Sequence, residues 1–512
     1  MDNGAIISGR IGGPRASADE PRRGLTGPRE SRPGGRALAP APAMHTMRLN
    51  EGTDMPFSDW APELGRSGKP RYIEIGEAIA RDVQAGLLTA GARLPPQRRL
   101  AERLGIDFTT VSRAYSEAQS RGLVESHVGR GTFVRAAVPA GPLADPRRAR
   151  EQDLLMNMPP EPEDPELLAA MRGGLETVAA DLVPLLRYQS PVGGEQDRAA
   201  ALSWLSMRGM VPNLDRIAIT PGAHATMVAI LASIAAPGDV VLCEAVTYPG
   251  LRSIAARLGL DLIGLPTDAA GILPDALEDA IRRRRPRALY LNPTLQNPTT
   301  LTIPAARRME IAEILLRHGL PLIEDDAYGF IPASPPAPLA TLAPGLVWHI
   351  GGLAKCIGAG LRLAYAIAPD SRAAYLLAQT LRTTAVMPSP LSTALATRWI
   401  EDGTADRIRR FIRAETAARQ SLAAEVLGGF DFESEPNAFN VWLRLPDGAG
   451  RAELMGRMAG RSIGIMPSDA FTVLGPPSEY VRVCLGGAIA RDRLREGLMF
   501  MANTLSGRAW LG

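Results

Sequence analysis

One amine stands out among the side chains of this sequence. Lysine and arginine together number 57, yet only Lys69 and Lys355 are lysines. Arginine stays protonated, whereas a lysine amine can lose its proton and condense with a carbonyl to an imine. A cation kept as lysine against so strong an arginine preference is a candidate for chemistry that a guanidinium cannot do. Lys69 lies in the loop Arg66-Ser67-Gly68-Lys69-Pro70, where chance retention explains it. Lys355 lies in Leu353-Ala354-Lys355-Cys356-Ile357-Gly358-Ala359-Gly360-Leu361-Arg362, which brings a second cation seven residues later.

Four upstream segments carry further groups in a fixed order. Ile219-Thr220-Pro221-Gly222-Ala223-His224-Ala225 reads as a strand entering a helix, where backbone N–H groups can face a phosphate. Glu244-Ala245-Val246-Thr247-Tyr248-Pro249-Gly250 offers an aromatic face at Tyr248. Tyr290-Leu291-Asn292-Pro293-Thr294-Leu295-Gln296-Asn297-Pro298-Thr299 sets Asn297 in a Pro-bounded loop. Ile323-Glu324-Asp325-Asp326-Ala327-Tyr328 puts carboxylates at a strand end, a favoured ligand position in α/β folds. Singly, each has an ordinary explanation: Tyr248 as a core aromatic, Asp325 as a helix cap, Asn-Pro-Thr as a turn. Together with Lys355 they meet the demands of pyridoxal phosphate (PLP). Its aldehyde needs an amine, its pyridine nitrogen an anion, its phosphate donors and a cation, and its ring a stacking partner and a hydrogen bond at the 3'-oxygen.

The elements that must position these groups follow from hydrophobic patterning. From residue 153 to 508, helical stretches alternate with short apolar runs such as Val240-Val241-Leu242-Cys243 and Ala288-Leu289-Tyr290-Leu291. That alternation predicts an α/β body with a mostly parallel sheet. Residues 1–68, rich in Gly, Pro, Arg and Ala, are expected to be a disordered extension, and 136–152 a linker. Apolar residues make up 46% of the 512, enough for more than one large core. No uncharged apolar run of membrane-spanning length and no secretory leader is apparent. The three cysteines are scattered, which argues against disulfides and a structural metal site and fits the cytoplasm. A net charge of +3 leaves any basic surface to be local.

Residues 69–135 carry such a candidate. Ile73, Ile75, Ile79, Ala80 and Val83 repeat at helical spacing, and Leu100, Ala101 and Leu104 do so before Gly105. A third helix is expected from about Thr109, with Val111, Ala114 and Tyr115 inward. A short helix, a tight turn at glycine and a following helix predict a helix-turn-helix. Gly122 to Val134 then reads as two short strands around a glycine-bounded turn, a wing.

The order of motifs in this block, from Leu94-Pro95 and Arg98 through Thr109-Thr110-Val111 and Arg113-Ala114-Tyr115 to Gly129-Arg130-Gly131-Thr132-Phe133, closely resembles the GntR-type winged helix. Residues 153–508 resemble the fold-type I aminotransferase domain of the aspartate aminotransferase superfamily. The pairing is that of the MocR subfamily of bacterial regulators. The resemblance implies an α+β winged helix-turn-helix head plus an α/β PLP-dependent aminotransferase-like body. It implies that Arg98, Thr109, Thr110, Ser112 and Arg113 meet double-stranded DNA in the major groove, with Arg130 as the wing contact. In the body it implies that Lys355 forms the internal aldimine and Asp325 pairs with the pyridinium nitrogen. Asn297 and Tyr328 bond the 3'-oxygen, and Tyr248 stacks on the ring. Gly222, the Ala223 and His224 amides, and Arg362 hold the phosphate. Arg482 matches the clamp for a substrate α-carboxylate. Ala354, Ala223 and Asn440 depart from the Ser, hydroxyl and His common at these positions. The expected function is a homodimeric transcriptional regulator whose DNA affinity responds to PLP, or to an amino acid or amine forming an aldimine with it. The alternative is a working aminotransferase with a secondary DNA-binding head.

Overall fold

The computed structural model describes residues 60–64, 70–120 except 86 and 90, 123–127, 131–134, 155–461 and 463–507. Residues 1–59, the whole of the expected linker 136–152 and Arg130 lie outside this set. The chain divides into two units, and the division falls within the segment expected to be a linker.

Among its described residues the first unit has three helices, α1 (Arg71–Gln84), α2 (Gln97–Leu104) and α3 (Phe108–Ser120), and an antiparallel hairpin of β1 (Val124–His127) and β2 (Gly131–Val134). Ile75 and Ile79 of α1, Leu100 of α2 and Val111, Ala114 and Tyr115 of α3 form one buried core. Leu104, expected inward, is only partly buried, as are Ile73, Ala80 and Val83 of the α1 pattern. Gly105, in the left-handed region at φ 60°, closes α2 and lets the chain turn into α3. Residues 91–94 add an edge to the wing: Arg93 bridges Phe133, and Leu94 N donates to Thr132 O at 2.8 Å. Gly131 sits at φ 109°, a backbone conformation that favours glycine, with the Arg93 guanidinium close by. Trp60 and Leu64, within the stretch expected to be an extension, pack against the head's core, and Trp60 Nε1 donates to Asp82 at 2.8 Å.

The second unit is built on a seven-stranded sheet. In chain order its strands are β3 (Ile217–Thr220), β4 (Val240–Glu244), β5 (Asp261–Leu265), β8 (Ala288–Leu291), β9 (Leu322–Asp325), β10 (Val347–Gly352) and β11 (Ala364–Ile367). The short pair β6 (Thr267–Asp268) and β7 (Gly271–Ile272) lies apart. Spatial order is β3-β11-β10-β9-β8-β4-β5. β10, β9, β8, β4 and β5 pair in parallel, and β11 runs antiparallel to both its neighbours. Helices cover both faces, so the strands are apolar on both sides. Leu289 and Leu291 of β8 enter one core cluster, and Ala288 and Tyr290 enter the other. A second, antiparallel sheet has the order β12 (Phe432–Glu433), β13 (Asn440–Arg444), β15 (Tyr480–Cys484), β14 (Ile465–Pro467). Here the two-residue period divides the strands: Val441, Leu443, Val481 and Val483 enter a third core, while Trp442 and Arg482, opposite each other, take the alternate face.

Candidate functional site

The parallel strands end together, and the loops leaving them converge. Thr220 closes β3 and leads through Gly222 into the helix Ala223–Ile234, Glu244 closes β4, Asn292 follows β8 and Asp325 closes β9. These loops, with the Lys355 turn after β10 and Arg482 from the second sheet, enclose a cavity of about 480 Å³. All ten body residues singled out in the sequence line it: Gly222, Ala223, His224, Tyr248, Asn297, Asp325, Tyr328, Lys355, Arg362 and Arg482.

Asp325 is buried with one carboxylate oxygen committed and one free. Tyr290 OH donates to Oδ2 at 2.9 Å, and Oδ1 has no partner among the described residues. Burial pushes the carboxyl up to about 6, and the Tyr290 hydrogen bond opposes this. A buried carboxylate oxygen with no donor is a costly arrangement unless a ligand supplies one. A protonated pyridine nitrogen is such a donor, so this site fits PLP. The next residue anchors the turn: Asp326 pairs with Arg208 at 3.2 Å and His349 at 3.3 Å. Despite burial, the Arg208 charge, with the hydrogen bond from His349 and the nearby Arg308, holds its carboxyl below the usual range.

The amine end is equally prepared. Lys355 Nζ donates to the carbonyl of Asn157 and lies 5.9 Å from the Tyr328 ring. Burial, reinforced by Arg482, lowers its pKa to about 8, so a sizeable fraction is a neutral nucleophile near neutral pH. Gly222, at φ 93°, caps the helix Ala223–Ile234, whose first amides lack intrahelical partners. A Cβ at Gly222 would meet the Arg362 guanidinium at 3.3 Å, so the missing side chain leaves the helix end open beside a cation. Burial and Arg362 lower the pKa of His224, which favours its neutral ring. Burial raises the Tyr248 hydroxyl, which stays protonated.

Arg482 is buried, donating from Nη1 to Asn297 Oδ1 at 2.9 Å and from Nη2 to the Leu155 carbonyl. A planar fork in this position suits a carboxylate. In the head, Arg98 is exposed, its guanidinium 5.9 Å from the Phe108 ring. Arg113 lies 4.1 Å over the Tyr72 ring. Thr109 bonds Asp107 through both its hydroxyl and its N–H, which fixes the start of α3. Thr110 and Ser112 are partly exposed on α3.

The comparisons with known proteins divide the chain at the same place. Residues 157–498 match the family model for aminotransferase class I and II, and residues 71–134 match that for bacterial regulatory proteins of the gntR family. The chain belongs to the MocR subfamily of gntR-type regulators. As a MocR protein it is similar to YdeF, an uncharacterised HTH-type transcriptional regulator of Bacillus subtilis, at 28% identity over 90% of this chain and 99% of that one. It is 27% identical to PdxR, the pyridoxine biosynthesis transcriptional regulator of Corynebacterium glutamicum, over 69% of this chain and 78% of that one. The alpha-aminoadipate aminotransferase LysN of Thermus thermophilus shares the fold of the body, with a TM-score of 0.62 and 24% identity over 69% of this chain and 92% of that one.

The MocR pocket also uses residues that pattern reading passed over. Tyr290 positions Asp325, and its only sequence signal was a hydroxyl in an otherwise apolar strand. Asn292 is a hub: its N–H donates to Glu244 at 3.0 Å, Nδ2 to the Asp325 carbonyl at 2.7 Å, and Oδ1 accepts from Asn297 N at 2.9 Å. Asn157 donates to Tyr328 OH and to Asn440 Oδ1, both at 3.0 Å. Asn440, noted only as a departure, therefore holds a neighbouring chain segment.

Proposed function

We propose that this chain is a PLP-dependent transcriptional regulator whose affinity for an operator in double-stranded DNA responds to PLP, or to an amino acid or amine that reacts with it. The observation that carries this reading is one cavity holding Lys355, the free oxygen of Asp325 and the Arg482 fork, in a chain that also carries a gntR-family head. PLP supplies an aldehyde for an amine and a ring that draws electrons when protonated. The chain supplies the rest. Lys355 provides the amine, Asp325 accepts the ring N–H, and Tyr248 offers a face. Asn297 and Tyr328 serve the 3'-oxygen. The helix at Gly222, the Ala223 and His224 amides, and Arg362 take the phosphate. The curated names of related proteins support the link to vitamin B6: PdxR, and PtsJ, named a vitamin B6 salvage pathway transcriptional repressor in Salmonella typhimurium.

On the DNA, Arg98, Thr109, Thr110, Ser112 and Arg113, with Arg130 in the wing, make the contacts. A ligand changes DNA affinity only by favouring one arrangement of the protein over another. A homodimer in the cytoplasm is the expected working form. Val183, Leu186 and Tyr188 support it, being 66%, 68% and 87% exposed on one short segment that a second copy would cover. Among the described residues no helix is long and apolar enough to cross a membrane.

The test is fluorescence anisotropy of the full chain on its own upstream DNA, with and without PLP and a panel of amino acids and amines. A ligand-dependent shift that Lys355→Ala abolishes, while DNA binding persists, supports the reading. Affinity indifferent to every ligand, in a preparation that a separate borohydride-reduced aliquot shows to carry the pyridoxyl group on Lys355, would refute it. The same three groups in one cavity also favour a second reading, an active aminotransferase. Turnover of about 1 s⁻¹ or more with an amino donor and a 2-oxo acid would establish it.

A further inference from the structure

The body has a second cavity, of about 840 Å³, between the β6–β7 hairpin and the end of β4 on one side and β12, β13 and β15 of the second sheet on the other. Residues 292–301 run between the two cavities. Asn292 and Asn297 line the first, Gln296 and Thr299 the second, and no lining residue is shared. The second cavity is one-sided in charge. Glu244, Asp268, Glu433 and Glu435 line it, and no lysine, arginine or histidine is among its described lining residues, in a chain rich in arginine. Two of the four carboxylates are committed. Glu244 accepts from Asn292 N and the Thr247 hydroxyl, and Asp268 from Arg307 at 2.9 and 3.0 Å. The side chains of Glu433 and Glu435 have no hydrogen bond or ion pair among the described residues.

Aromatic rings form the wall beside these carboxylates. Trp442 stacks on Tyr480, with centroids 5.3 Å apart, and Phe471 meets it edge-on at 5.6 Å. Trp442 is 5% exposed, yet its indole N–H donates to no described residue. A buried donor without an acceptor is costly unless a ligand supplies one. Among the described residues no three His, Cys, Asp or Glu side chains are grouped so as to hold a metal ion, so the free charge calls for a larger cation. We propose that this cavity is a second small-molecule site, and that it takes an organic cation with an apolar body and a hydrogen-bond acceptor. The cationic group lies by Glu433 and Glu435, the body lies against Trp442 and Tyr480, whose faces attract a cation, and the acceptor takes the indole N–H. With no lysine in the lining, the ligand is held without an imine. The site stands whether or not the first cavity takes PLP.

The test is isothermal titration calorimetry of the full chain with acetylcholine and with 3,3-dimethylbutyl acetate, in which carbon replaces the quaternary nitrogen. The two probes share a shape and a carbonyl acceptor, and neither condenses with an aldehyde, so imine chemistry in the first cavity adds no heat. Acetylcholine is expected to bind about tenfold more tightly than the isostere, because the carboxylates and the ring faces act on its charge. Replacing both glutamates, Glu433→Gln with Glu435→Gln, should remove most of that preference and leave the isostere's affinity unchanged. Trp442→Phe should weaken both probes by about threefold or more, through the lost N–H bond. Circular dichroism checks that each variant is folded. Equal affinities for the two probes, unchanged acetylcholine binding in the double glutamine variant, or no saturable binding of acetylcholine at about 10 mM would overturn the proposal.

Discussion

The cavity sets an acid and a base against their ordinary preferences. Asp325 titrates at about 6 and Lys355 at about 8, both chiefly through burial. The raised Asp325 value favours the unliganded fold below the unfolded carboxylate range, and that contribution is lost as pH climbs through 6. The lowered Lys355 value favours the fold above the unfolded lysine range, and that contribution is lost as pH falls through 8. Between 6 and 8 the empty pocket therefore carries both penalties, and a ligand that pairs with Asp325 and consumes the amine relieves both. The melting-temperature gain on adding PLP is expected to peak in that window, as read by scanning fluorimetry from acid to alkaline pH. The rate of borohydride-fixable attachment at Lys355 should rise about tenfold per pH unit up to 8 and then level, because only the neutral amine attacks. Tyr290→Phe removes a hydrogen bond that favours the charged Asp325. PLP affinity at neutral pH should fall by roughly ten- to a hundredfold, for a bond to a charged group worth roughly 1.5–3 kcal/mol. An unchanged affinity in an absorbance titration would contradict the role given to Tyr290.

In the head, one hydroxyl joins two elements that a DNA-reading helix depends on. Tyr115, on the buried face of α3, donates to the Pro95 carbonyl at 2.8 Å just before α2. Tyr115→Phe keeps the ring in the core and leaves that carbonyl unpaired, at a cost of about 1–3 kcal/mol. Faster amide exchange across α2 and α3 with unchanged PLP absorbance is the expected outcome. The helices and strands themselves were largely legible. β8 spans the apolar run Ala288 to Leu291, and α3 starts one residue before the expected Thr109. Direction was not legible. Ala364-Tyr365-Ala366-Ile367 is as apolar as its neighbours, yet β11 runs against both of them. Strand polarity is fixed by which connections the surrounding chain can make, and a local pattern of apolar residues carries no sign.

The whole chain is a head and a body joined covalently, each with its own core. If the body works as a dimer, the exposed run at Val183, Leu186 and Tyr188 is where a single charge should be felt. Leu186→Glu is expected to shift the full chain toward the monomer in sedimentation velocity while its circular dichroism stays the same. A dimer of undiminished stability would place the self-contact elsewhere.

Composition and motif order pointed to the chemistry proposed for this protein. One lysine among arginines, an aspartate at a strand end and a glycine before a helix each mark a local requirement of covalent or backbone chemistry, and such requirements are written residue by residue. The tertiary structure alone decided the partners. Tyr290 reaching Asp325, Asn292 tying three loops together, and the Leu155 carbonyl lying on Arg482 join positions 35, 33 and 327 residues apart. The chain folds to bring such positions within hydrogen-bond reach, and no periodicity in the sequence encodes that distance.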